Sequence, residues 1–100
     1  MVVVLFRSRL VPEAGEDYSR MAEEMLTTAK TMPGFVDFKS YKADDGERIS
    51  VVWWRDQETM AAWRAHPRHQ IAQLAGRAKW YQSFQIEVAE VVRSGAFERP

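Results

Sequence analysis

The chain opens on an apolar run, Val2-Val3-Val4-Leu5-Phe6, made mostly of β-branched and aromatic side chains, and Pro12 follows it. That composition predicts a strand over the first eleven residues. Beyond it the spacing of apolar positions changes. Tyr18, Met21, Ala22, Met25, Leu26, Ala29 and Met32 recur at threes and fours, with Arg20, Glu23, Glu24 and Lys30 between them. This is the period of a helix with one buried stripe; Gly15 to Asp17 provide its loop and acidic first turn, and Pro33-Gly34 end it. Phe35 to Tyr41 and Ile49 to Trp54 read as two strands around a turn at Ala43 to Gly46, where Asp45-Gly46 is a hairpin signal. Asp56 is placed to cap the next helix, whose apolar face is Met60 and Trp63.

Pro67 lacks an amide hydrogen and biases His66 towards an extended backbone, so the pattern predicts two short helices with a corner at His66. The second carries Ile71, Leu74 and Ala75 as its buried stripe and Gly76 as its stop. A long strand from about Trp80 to Val92 then alternates Phe84, Ile86, Val88 and Val92 against Ser83, Gln85 and Glu87.

Strand, helix, strand, strand, helix pair, strand is the split β-α-β order of an α+β ferredoxin-like fold, an antiparallel sheet with its helices on one face. One domain over residues 1–93 accounts for the pattern, leaving a patternless tail at 94–100. The helices cover one face of the sheet, yet both faces are apolar. Strand one sets Val3 and Leu5 opposite Val2, Val4 and Phe6, and strand three sets Val52 and Trp54 opposite Val51 and Trp53. The expectation is a homodimer packed sheet against sheet.

Composition narrows the function more than the fold. Fourteen basic residues balance fourteen acidic ones, so no global field favours nucleic acid or an anionic membrane. The first apolar run stops at Arg7, too short for a secretory core or a membrane span, and a cytoplasmic protein is expected. The absence of cysteine suits that compartment and removes thiol nucleophiles, disulfides and cysteine zinc sites.

All four tryptophans (Trp53, Trp54, Trp63, Trp80) and both histidines (His66, His69) fall between Trp53 and Tyr81. His69 is the candidate acid or base, because imidazole titrates near neutral pH; a structural histidine is the competing reading. Trp63 reads as a wall for a flat ligand or as a core residue beside Met60. Strand alternation allows only one of Trp53 and Trp54 to face a cavity under the helices, and the register decides which. His66 reads as a cap or surface group. His66 and His69 have no obvious third ligand, Gln73 being a poor donor to zinc, so no metal site is expected. Arg7, Arg9, Arg64 and Arg68 are candidates for receiving an anion, against the ordinary reading as solvated surface groups.

Met32-Pro33-Gly34-Phe35, the strand Val51-Val52-Trp53-Trp54 followed by Asp56, and then Trp63, His69, Gly76 and Trp80-Tyr81 together resemble the antibiotic biosynthesis monooxygenase family of dimeric α/β barrels. The resemblance spans nearly the whole chain and rests on the order and spacing of short motifs. It implies a dimer with one cavity per subunit between helices and sheet. It also implies a cofactor-independent monooxygenase acting on a small phenolic or quinol-type aromatic; in such a cavity His69 is the candidate base, and Trp63, Trp53 or Trp54, Ser8 and Gln73 are the candidate substrate contacts. A haem-degrading branch of the family uses an asparagine in strand one and a histidine ten residues after a tryptophan. Here Trp63 fits the tryptophan, but Ser8 and Gln73 stand at the other two positions, so haem is disfavoured. A non-catalytic ligand-binding or stress-related dimer is the alternative that the resemblance leaves open.

Overall fold

A computed structural model describes residues 1–100. Its elements are β1 (Val2–Leu10), α1 (Glu16–Ala29), β2 (Phe35–Lys42), β3 (Arg48–Trp54), α2 (Gln57–Arg64), α3 (Pro67–Ala75), a π-helical turn (Gly76–Trp80) and β4 (Tyr81–Glu90). The four strands form one antiparallel sheet in the order β2-β3-β1-β4, the ferredoxin-like arrangement expected of this element order. Residues 91–100 carry no regular secondary structure.

Register settles which side chains lie under the helices. Val4 pairs with Val52 and with Val88, and Phe6 with Ser50 and Ile86, so these residues share one face with Val2, Trp54 and Phe38. Val3, Leu5, Arg7, Ile49, Val51 and Trp53 share the other, which no helix covers. The core sits between the helix-facing side and α1 and α2: Ala29, Trp54 and Trp63 are buried together, with Met25, Met32, Phe35 and Met60 packed around them. Val2 and Trp54, paired across β1 and β3, are the most completely buried side chains, at 0% and 1% exposed.

Local chemistry fixes how the helices start. Asp56 has an extended backbone, its carboxylate accepts from the Thr59 amide at 2.8 Å, and the Thr59 hydroxyl accepts from the Asp56 amide at 3.4 Å. This reciprocal box satisfies two otherwise unpaired amides and holds the Asp56 carboxyl below its ordinary range, the Thr59 amide being the main cause. Its contribution is therefore present above the normal carboxylate pKa and lost as pH falls through the lowered one. Asp56→Ala is expected to reduce Tm by about 5 °C at pH 7. Thermal denaturation that shows no change at pH 7 would count against the box. His66 caps α3 in the same way, through Nδ1, which accepts from the Arg68 amide at 3.1 Å ahead of Pro67 at the first helical position.

Two expectations fail in α3. Ile71 and Leu74, read as a buried stripe, are 61% and 66% exposed, because the helix turns His69, Ala72 and Gln73 towards the sheet instead. Gly76 does not stop the helix. Its backbone is helical (φ −60°, ψ −47°) and the chain runs on through the π-helical turn, so Trp80 closes that turn rather than opening β4. Glycine is required there for closeness: a Cβ on Gly76 would lie 2.5 Å from Cε2 of Tyr81.

Candidate active site

Between the helices and the covered face of the sheet lies a cavity of about 300 Å³, at the lower end of the range for small-molecule sites. Its wall is almost wholly apolar. The sheet supplies Val4, Phe6, Val52, Trp54, Phe84, Ile86 and Val88, while Met21, Met25 and Leu26 enter from α1. The polar exceptions are Ser50, Arg64, His69, Gln73 and Arg77, and no carboxylate is among them. A second depression, lined by Arg20, Glu23, Glu24, Thr27, Thr28 and Arg68, is a charged surface furrow with no apolar wall.

His69 lies flat against Trp63, ring centroids 4.6 Å apart and planes within 11°, and Trp63 in turn stacks on Trp54 at 6.4 Å. The chain sets this up through the corner at His66, which brings α3 back across the end of α2. His69 Nδ1 is 3.3 Å from the Trp63 carbonyl oxygen. A carbonyl only accepts, so Nδ1 carries the proton and Nε2 keeps its lone pair. No side-chain nitrogen or oxygen in the fold is both buried and unpartnered, so Nε2 is open to the space beside it. Burial lowers the His69 pKa below the ordinary histidine value, opposed by the bond to the Trp63 carbonyl and assisted by nearby His66. At neutral pH the ring is thus a neutral imidazole able to take a proton.

The other end of the cavity is an aromatic cluster. Tyr81 meets Phe6 edge-on at 5.3 Å and Phe84 at 5.8 Å; Tyr18 meets Trp80 at 5.6 Å and Tyr81 at 5.9 Å. Trp80 donates its indole N–H to Asp17 at 3.0 Å, which ties the start of α1 to the end of the π-helical turn. That bond is the main cause of a lowered Asp17 pKa. Burial, aided by Tyr18, pushes the Tyr81 phenol far above its ordinary value, so it stays protonated at any working pH.

Of the residues singled out from sequence, His69, Trp63, Trp54 and Gln73 come together around the cavity. Trp53 lies on the uncovered face of the sheet, opposite Val3 and Asp37. Ser8 is on the covered face but is 4% exposed between Arg48 and Phe84 and does not reach the cavity. Arg7 and Arg9 reach Glu47 and Asp45 at 3.2 and 2.8 Å, and Arg68 reaches Glu24, which leaves Arg64 as the one anion candidate in the cavity wall. Sequence reasoning missed Arg77 and Tyr18. Arg77 follows His69 and Gln73 at steps of four, a signal hidden by reading Gly76 as a stop.

A four-stranded antiparallel sheet under helices, with an apolar cavity between the two layers, defines the molecule as a ferredoxin-like α+β domain. The chain belongs to the antibiotic biosynthesis monooxygenase family, whose model matches residues 1–74. It is similar to the uncharacterized protein YqjZ of Bacillus subtilis, 36% identical over 95 residues that cover 95% of this chain and 82% of that one. It is also similar to jasmonate monooxygenase ABM of Pyricularia oryzae, 27% identical over 96 residues; the alignment takes in 94% of this chain but only 45% of that protein. Two solved structures share the fold at low identity. Rv0793 of Mycobacterium tuberculosis superposes with a TM-score of 0.83 at 17% identity, covering 95% of this chain and 98% of that one. SnoaB, a cofactor-independent oxygenase from Streptomyces nogalater, gives 0.77 at 16%, covering 93% and 94%.

Proposed function

We propose that this protein is a cofactor-independent monooxygenase that oxidises a small phenolic or quinol-type aromatic in the cavity between helices and sheet. The observation that carries the reading is the His69 imidazole stacked on Trp63, with a free Nε2 at the wall of a largely apolar space. Family membership and the relatives that bear oxygenase names support the same class of reaction.

In this reading Trp63 and Trp54 hold the substrate ring, and His69 Nε2 accepts the phenolic proton. The anion passes one electron to dioxygen, and the resulting radical pair joins through a new bond between ring carbon and oxygen. The peroxide takes the proton back from His69. Cleavage of its O–O bond with loss of the ring C–H proton releases water and leaves a quinone. For 1-naphthol the balance is naphthol plus O₂ giving naphthoquinone plus water, with no external reductant. A low-dielectric cavity disfavours a bare phenolate, so the base has to act within hydrogen-bond reach of the hydroxyl.

The working unit in this proposal is a homodimer joined through the uncovered sheet face. Only nine of the 100 residues are buried in the single chain, and Val3, Leu5, Ile49, Val51 and Trp53 form an apolar stripe on that face with no helix above it. Sedimentation at micromolar concentration is expected to show a dimer; a monomer throughout a dilution series would refute it.

Oxygen uptake with a panel of phenols and naphthols, in metal-free buffer with chelator, tests the reaction. Consumption of one O₂ per quinone formed is expected with at least one bicyclic substrate. Tight binding of the same compounds with none consumed would instead identify a ligand-binding protein of the same fold. A Soret shift on titrating haem would point to the haem branch.

A further inference from the structure

His69, Gln73 and Arg77 succeed one another at steps of four along α3 and into the π-helical turn, and all three line the cavity. At 1.5 Å of rise per residue they form a row about 12 Å long, with the imidazole at one end and a guanidinium at the other. The Arg77 guanidinium carbon stands 5.7 Å from the centre of the Phe84 ring, at the side of the cavity formed by β4. Arg64, the last residue of α2, adds a second guanidinium to the same wall.

What sets these two arginines apart is that they line the cavity and carry no carboxylate partner: Arg7, Arg9, Arg55 and Arg68 are each held in an ion pair, and the other arginines without one lie outside the cavity wall. Nor does any aspartate or glutamate line the cavity to neutralise them. The site therefore holds two positive charges, a neutral imidazole and an amide against apolar walls. A neutral hydrocarbon ring would leave both guanidiniums to water, while a carboxylate matches their planar fork.

We propose that Arg77 forms an anion-binding end of the cavity, with Arg64 adding positive charge to the same wall, so that the preferred ligand is an aromatic carboxylate whose hydroxyl lies at the end opposite Arg77, beside His69. The row fits a flat molecule of about two fused rings with its hydroxyl and carboxylate at opposite ends. Gln73, midway, hydrogen-bonds to the ligand between them. This rests on the cavity being the substrate site, as proposed above, and adds the substrate class; it makes no use of turnover.

The test is calorimetric binding of 6-hydroxy-2-naphthoate and of 2-naphthol, which differ by the carboxylate. The wild-type protein is expected to bind the naphthoate at least tenfold more tightly, with the advantage shrinking as salt rises. An R64Q/R77Q variant is expected to bind both within twofold of one another. Arg68→Gln, in α3 between the two and paired with Glu24, is expected to keep the tenfold preference, which separates position from net charge. Both cavity arginines are exposed, and circular dichroism of R64Q/R77Q should match wild type. Equal wild-type affinities, or a preference that survives R64Q/R77Q, would overturn the anion end and leave the oxygenase reading standing. Binding of neither compound would overturn both.

Discussion

Gly34→Ala is expected to remove about 4 kcal/mol of stability and to lower Tm by roughly 20 °C. Gly34 has φ +86°, a left-handed backbone that costs an L side chain about 1–2 kcal/mol. The larger share comes from space. A Cβ there would overlap the Thr59 side chain, which is 7% exposed and locked in the Asp56 capping box. Gly46 is the internal control: its φ is +92°, but a Cβ would meet nothing within 4 Å. Gly46→Ala should therefore cost only the conformational part, about 1–2 kcal/mol. Chemical denaturation of the two variants separates conformation from contact. Equal losses would refute the overlap, and Thr59→Gly should restore part of the stability in the Gly34→Ala background alone.

The second large effect concerns His69. His69→Gln is expected to lower kcat/KM for oxygen uptake by about 10²- to 10⁴-fold while sparing the fold, since glutamine can keep a donor near the Trp63 carbonyl but supplies no base. The pH profile carries the sharper prediction. Burial lowers the His69 pKa, and the charged groups sharing the cavity, Arg64 and Arg77, are cations. His66 nearby acts in the same direction, and the bond to the Trp63 carbonyl, which favours the protonated form, is outweighed by burial. The base form therefore persists below the ordinary histidine pKa, and kcat/KM should hold through neutrality and fall only on the acid side of that value. Stability follows the same sign. Between the lowered folded pKa and the unfolded one the unfolded chain binds more protons, so stability rises with pH across that window, and His69→Gln should flatten it. A rate limb well above pH 7, or a profile unchanged in His69→Gln, would exclude His69 as the base.

These two residues also mark where sequence reading works and where it stops. The element order was readable because helix and strand periods differ, and Pro33-Gly34, Asp45-Gly46 and Pro67 punctuate them strongly. The corner at His66 followed from proline chemistry alone. Trp53 and Trp54 could not be assigned to faces, because parity in a strand is set by its partners, and the pairing of Val2 with Trp54 appears only in three dimensions. The inward face of α3 was misread for a related reason. Hydrophobicity pointed to Ile71 and Leu74, but a helix that roofs a cavity turns its small and polar residues inward, here His69, Ala72 and Gln73. Gly76 looked like a terminator because the need for it lies in the Tyr81 ring five residues on.

Of the five polar groups in the cavity wall, only Ser50 belongs to the sheet; Arg64, His69, Gln73 and Arg77 all lie within fourteen consecutive residues. The apolar part of the same wall comes from α1, α2 and strands whose register also builds the core. Most of the polar lining and the sheet are thus written in separate stretches of the gene. Exchanging residues 64–77 as one cassette between related proteins should transplant substrate choice onto an unchanged sheet, and libraries confined to positions 64, 69, 73 and 77 would explore new substrates while leaving the His66 cap and Gly76 in place.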